Sequence, residues 1–144
     1  MSRPEEVFHP KNHAKFSPGK VAYIIPEDDV FVTYRELDEK SNQIAHTFRA
    51  LGLNIDDGIA FLVENRQGFF EICWAAQRAG LHYTPISTHL GVSEITYIVT
   101  NCEAKLFIVS ARFKEIAEDI RRATPNASRL ICLGGDIPGF DSFE

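Results

Sequence analysis

The chain reads as an α/β protein: a mostly parallel sheet with helices on both faces, preceded by an N-terminal β-hairpin. Three observations predict this. Apolar, strand-like runs begin at Ile59, Tyr83, Leu106 and Leu130, recurring about every 24 residues, the length of a compact βα unit. Between them lie segments whose apolar residues return at helical spacing. Glycines stand where those helices should stop, at Gly52 and Gly80, because glycine tolerates the left-handed conformation that closes a helix. Right-handed crossovers between such units make the strands run parallel.

Each element has a local reason. Residues 1–20 are polar and broken by Pro4, Pro10 and Pro18, which reads as an irregular arm; residues 21–144 form the α/β body. Val21-Ala22-Tyr23-Ile24-Ile25 and Val30-Phe31-Val32-Thr33 are β-favouring runs, and Pro26-Glu27-Asp28-Asp29 supplies the turn of a hairpin. Thr33 and Glu36 fit a capping box opening a helix that carries Tyr34, Leu37, Ile44, Ala45, Phe48 and Leu51 on one stripe. Residues 59–63 form an unbroken apolar run, as in a strand covered on both faces. Asn65 is placed to cap the next helix, whose apolar set (Phe69, Phe70, Ile72, Cys73, Trp74, Ala75, Ala76, Ala79) wraps nearly all round it and predicts deep burial.

A short strand at residues 83–86 leads through Ser87-Thr88-His89 to a helix carrying Val92, Ile95, Ile98, Val99 and Cys102. Residues 106–109 form the following strand. Ser110 caps a helix bearing Phe113, Ile116, Ala117 and Ile120, with Arg121 and Arg122 at its negative end and Pro125 to stop it. The strand at residues 130–133 is read as the last. Beyond it the chain enters a Gly- and Pro-containing loop, which reads as a domain cut short rather than completed.

Length allows one ordinary core. The net charge of −5, without a basic stripe, argues against nucleic acid as a partner. Cys73, Cys102 and Cys132 are far apart among apolar neighbours, which suits buried free thiols in a reducing compartment and gives no metal site. No signal peptide follows Met1, and no apolar run approaches the roughly 20 residues of a membrane span, so a cytoplasmic protein is expected. Asn126-Ala127-Ser128 matches a glycosylation sequon, which is coincidental in that setting.

Ligands of an open parallel sheet gather beyond the carboxyl ends of its strands. Here those positions are Glu64-Asn65, Ser87-Thr88-His89, Ser110-Ala111-Arg112 and Gly134-Gly135-Asp136. None forms a phosphate cradle: the GxxxxGK[ST] and GxGxxG patterns are absent, and Gly134-Gly135 reads as a strand-ending turn. Ser87 and His89 lack a third group and a nucleophile elbow. From the residues alone, no reaction is named.

A series of short motifs does suggest one. Thr33-Tyr34-Arg35-Glu36-Leu37, Asn65 with Phe69 and Phe70, and Arg78-Ala79-Gly80-Leu81-His82-Tyr83-Thr84-Pro85-Ile86 resemble, in order and spacing, the first core motifs of the AMP-forming adenylate enzymes. That superfamily includes acyl- and aryl-CoA synthetases, peptide-synthetase adenylation domains and luciferases. The resemblance spans about Val21 to Leu133 and implies the N-terminal part of a larger N-terminal domain. The motifs themselves are scaffold.

The family's phosphate loop with its lysine, its ribose-binding aspartate, its hinge and its C-terminal lysine have no counterpart here. The resemblance therefore implies no catalytic residue, metal ligand, ATP site or cofactor in these 144 residues, and ATP, Mg and CoA as requirements of the full-length parent. The parent reaction joins a carboxylic acid to CoA through an acyl-adenylate. Ser87-Thr88-His89-Leu90 is similar to a run in free-standing acyl-CoA synthetases, with Ser87 where the family often has Asn. By that likeness Thr88, His89 and Arg112 are candidates for a surface facing CoA. A peptide-synthetase-type or luciferase-like enzyme, or a non-catalytic interaction module, are the competing readings. Exposed apolar surface left by missing parts of the domain would promote self-association.

Overall fold

The structure, a computed structural model, describes residues 9–123 and 129–143. The expected helix stop at Pro125 and the sequon Asn126-Ala127-Ser128 lie outside the described residues. Contacts gather in two compact units. One holds the described residues up to Gly52 together with Asn65–Arg78; the other holds Leu53–Glu64 and those from Ala79 onward.

The first unit begins with a helix, α1 (Pro10–Phe16), inside the stretch expected to be irregular. Its Pro10 is the reason rather than an obstacle. Proline in the first turn lacks only an N–H that would be unpaired anyway, and its φ is already helical. His9 completes the start, its Nδ1 accepting the Lys11 N–H at 3.1 Å. Strands β1 (Val21–Ile25) and β2 (Val30–Thr33) then form the expected antiparallel hairpin, turned by a 3₁₀ segment at Pro26–Asp28 and by Asp29 at φ 52°.

Helix α2 (Tyr34–Ala50) starts with the expected capping box. The Thr33 N–H donates to Glu36 Oε2 at 2.7 Å, and the Glu36 N–H donates to Thr33 Oγ1 at 3.3 Å. Its buried stripe is Leu37, Ser41, Ile44, Ala45 and Phe48; the Ser41 hydroxyl is satisfied by the Leu37 carbonyl one turn back. Gly52, at φ 84°, follows its end as read.

Helix α3 (Phe69–Ala79) departs from expectation twice. Asn65 does not cap it; Glu71 reaches back to the Gly68 N–H at 2.9 Å and takes that role, so the helix begins later. Nor is it buried all round. Ile72, Ala75 and Ala76 are enclosed, but Phe70 is exposed and Cys73 and Trp74 are half-buried. The enclosed charged residue is Glu71, tolerated because both carboxyl oxygens have donors, the Gly68 N–H and the Tyr23 hydroxyl.

The second unit is a five-stranded, wholly parallel sheet, ordered β4 (His82–Pro85), β3 (Gly58–Leu62), β5 (Ala104–Ser110), β6 (Arg129–Leu133), β7 (Asp141–Phe143). The strand at 130–133, expected to be the last, is β6 and is followed by another. β7 adds a parallel edge through Ile131↔Asp141 to Leu133↔Phe143. Its three residues, two of them polar, are too few to show a strand period.

Helices α4 (Val92–Asn101) and α5 (Lys114–Ala123) pack over one face. There Ile95, Val99, Ala117 and Ile120 meet Ala60, Leu62, Phe107, Val109 and Cys132 of the sheet. The alternate residues Ile59, Phe61, Leu106 and Ile108 are also fully buried, which is why β3 and β5 read as unbroken apolar runs. Among the described residues, no helix is long and apolar enough to cross a membrane.

Candidate functional site at the carboxyl edge of the sheet

The strand order sets where a ligand would sit. From β3 the chain crosses to β4 on one side; from β5 it continues to β6 on the other. The connections therefore part between β3 and β5, and their carboxyl ends frame the switch-point crevice of an open α/β sheet. The residues at that edge are Glu64 after β3, the Ser87–His89 turn after β4, the Ser110–Arg112 turn after β5 and the Gly134–Asp136 loop after β6.

The β4 turn is held at its root. Ile86 is buried and its N–H donates to the Phe61 carbonyl at 2.9 Å, carrying the sheet ladder one residue further. The Leu90 N–H then reaches the Ser87 carbonyl and the His89 N–H the Ser87 hydroxyl, both at 3.4 Å. A serine side chain closing its own turn is a structural role. Thr88 is left half-buried and His89 exposed.

At the end of β5, Ser110 is wholly buried and its hydroxyl accepts the Arg112 N–H at 3.4 Å. The expected cap thus exists, but it opens a 3₁₀ turn, Ala111–Phe113, before α5 begins. Arg112 projects from this turn as an exposed cation. Gly134, at φ 79°, turns the chain after β6. Gly135 lies so near that turn that an added Cβ would stand 2.8 Å from the Cβ of Ala111, so only glycine lets the two loops meet.

The three residues singled out from sequence are not brought into one cluster. Thr88 and His89 share a turn, but Arg112 lies two strands away across β3, roughly 10 Å at ordinary strand spacing. Between them stands Glu64, whose position at a strand end was legible but whose state was not. Its Oε2 is shielded from solvent and has no hydrogen-bond partner. Among the described residues, no group of three or more His, Cys, Asp or Glu is placed to hold a metal ion.

The opposite edge is electrostatically settled. Asp57, before β3, takes the Asn54 N–H at 2.7 Å and the Lys105 ammonium at 2.8 Å. Those two bonds, the backbone one first, hold its carboxyl below the usual range. The sheet therefore has an amino edge with a paired acidic group and a carboxyl edge where, among the described residues, Glu64 Oε2 has no hydrogen-bond partner and Arg112 no ion pair.

Residues 10–138 match the family described as AMP-binding enzyme. The chain belongs to that family. Among relatives of this AMP-binding enzyme chain is the long-chain-fatty-acid–CoA ligase FadD13 of Mycobacterium tuberculosis, 29% identical over 127 residues, covering 88% of this chain and 25% of the ligase. The anthranilate CoA ligase AuaEII, solved with anthranoyl-AMP, superposes with a TM-score of 0.85 at 23% identity, over 94% of this chain and 26% of that one. The N-terminal domain of FACL13 from Mycobacterium tuberculosis, solved with an inhibitor, superposes at 0.77 with 26% identity, over 94% of this chain and 32% of that one. The chain thus spans about a quarter of the length of the long-chain ligase it matches.

Proposed function

We propose that this chain is the N-terminal α/β part of an ATP-dependent, AMP-forming acid–CoA ligase, converting a carboxylic acid, ATP and CoA to acyl-CoA, AMP and pyrophosphate. The carrying observation is the family match over residues 10–138 together with a long-chain-fatty-acid–CoA ligase of which the match covers 25%. Likeness to an isolated N-terminal domain supports the placement within a larger N-terminal domain, with helices on both faces of the sheet. The residues present do not fit ATP: the chain carries no glycine-rich phosphate loop with a lysine. In this reading ATP, Mg and the acid are held by parts of the parent beyond these residues, and the protein works in the cytoplasm.

The purified 144-residue chain is expected to show no acid-dependent ATP–pyrophosphate exchange, and the longer parent to release AMP with members of a carboxylic-acid panel. Exchange by the short chain would refute its dependence on the parent. A parent that releases no AMP with any acid, or that loads an amino acid without CoA, would refute the ligase assignment.

Thr88, His89 and Arg112 form the CoA-facing surface in this proposal. The exposed Arg112 has the right charge for a CoA phosphate, and His89 and Thr88 offer further donors. In the parent, Arg112→Ala is expected to raise the KM for CoA about tenfold, the loss of one charged hydrogen bond, and His89→Ala less. The exchange half-reaction, which involves no CoA, is the control. An unchanged KM for CoA in both variants would remove these residues from the site. Self-association of the 144-residue chain is also expected, because the paired Ile24 and Phe31 lie exposed on the hairpin; a monodisperse monomer in concentrated solution by light scattering would count against it.

A further inference from the structure

Helix α1 is held by a small seat, and one residue carries much of it. The His9 ring lies edge-on to the Trp74 indole of α3, centroids 5.0 Å apart and planes at 68°. The same ring caps α1, with Nδ1 accepting the Lys11 N–H. Only an unprotonated ring nitrogen can accept, so the neutral imidazole carries its proton on Nε2. The other described attachments of α1 are the buried Pro10 and the His13 ring stacked on Tyr34 of α2 at 4.8 Å.

Protonation of His9 would undo its cap and set a positive charge against its seat. Nδ1 would become a donor pointed at another donor, and the cap would be lost. A second cation would also stand, half-buried, near Arg78. The charged groups near the ring are Arg78 from α3, Asp38 from α2 and Lys11 from α1 itself. Asp38 cannot serve as a free counter-ion, since it already pairs with Arg78, whose other terminal nitrogen donates to Asn42 Oδ1 at 2.9 Å.

We propose that Pro10–Phe16 is a proton-released strap: it docks on α2 and α3 while His9 is neutral and lets go when His9 is protonated. Burial first, then Arg78, lowers the pKa of the docked ring below the ordinary 6.5; Asp38 opposes this and Lys11 adds to it. The sign follows. The released ring takes its proton near 6.5 and the docked ring only at lower pH, so docking is full above about 6.5 and weakens as pH falls. Between those two values each pH unit lowers the docking equilibrium by up to about tenfold, one proton being linked.

Two measurements test this. Hydrogen exchange of residues 9–17, corrected for intrinsic rates, should lose protection by up to about tenfold per pH unit below about 6.5, while α2 stays protected. Trp74 is the sole tryptophan, so its emission should change in parallel. In His9→Asn, whose oxygen can still cap but does not titrate, both changes should disappear. Protection that does not vary between pH 7.5 and 5, or the same loss in His9→Asn, would overturn the proposal. Independently of any variant, a His9 ring-proton titration in the unmodified chain with its midpoint at or above 6.5 would also overturn it.

Discussion

Replacing Phe107 with alanine is expected to cost about 3–5 kcal/mol of stability, the range for emptying a large aromatic site in a packed core. Phe107 is wholly buried in β5, a strand paired on both sides, with Ala60 opposite it on β3 and Leu130 on β6. Its face of the sheet is covered by α4 and α5, and its neighbours there include Ile95, Val99, Ala117 and Ile120. A backbone fixed by two parallel ladders cannot collapse into the vacancy, so most of the cavity should persist. Against the roughly 5–15 kcal/mol of a typical domain this is a large fraction. At about 2 kcal/mol per molar urea, the midpoint followed by far-UV circular dichroism should fall by about 2 M. Phe107→Leu, which leaves a smaller void, should cost about 1–2 kcal/mol. Equal effects of the two substitutions would mean that the site relaxes and the packing argument is wrong.

That core was legible because its signals are redundant. Residues 59–63 and 106–109 are apolar without interruption, which only a strand buried on both faces requires, and both proved so. Thr33 and Glu36 encode a helix start within four residues, and both hydrogen bonds formed. Gly80 at φ 73° ends α3 as placed. The start of α3 is not legible because it depends on contacts between residues distant in sequence. Asn65 has the local signature of a cap, whereas Glu71 takes the role with help from Tyr23, 48 residues away. α1 has a local cause instead: Pro10 reads as a breaker in a polar stretch, but in the first turn proline favours a helix.

The candidate edge was legible only in outline. Strand ends identify Glu64, Thr88, His89 and Arg112 as neighbours of a crevice, but strand order alone says that β3 separates Arg112 from Thr88 and His89. That the Glu64 oxygen is enclosed without a partner, and that Gly135 exists to admit Ala111, are facts of packing with no periodicity to reveal them.

The pairing of Glu71 with Tyr23 carries the other large expected effect. Glu71 is only 1% exposed, yet its carboxyl is satisfied at each oxygen, by the Gly68 N–H and by the Tyr23 hydroxyl. Glu71→Ala strands both donors and is expected to cost about 3 kcal/mol, since each buried polar group left unpaired costs about 1–3 kcal/mol. Glu71→Gln keeps one oxygen to accept the Gly68 N–H and an amide that can donate to the Tyr23 oxygen, but it loses the charge, so an intermediate loss should result. Tyr23→Phe should cost about 1–2 kcal/mol, and the double variant Tyr23→Phe, Glu71→Ala less than the sum, because the two act on one bond. The pH response separates this from mere packing. Burial, followed by the hydrogen bond and charge of Glu71, holds the Tyr23 hydroxyl far above the ordinary tyrosine range. The unfolded chain therefore loses this proton near pH 10 while the folded chain keeps it, and stability should decline as pH rises above about 10. Urea midpoints compared at pH 8 and pH 11 should fall further in the unmodified chain than in Tyr23→Phe. An identical alkaline loss in both would show that the proton on Tyr23 does not bind the hairpin to α3.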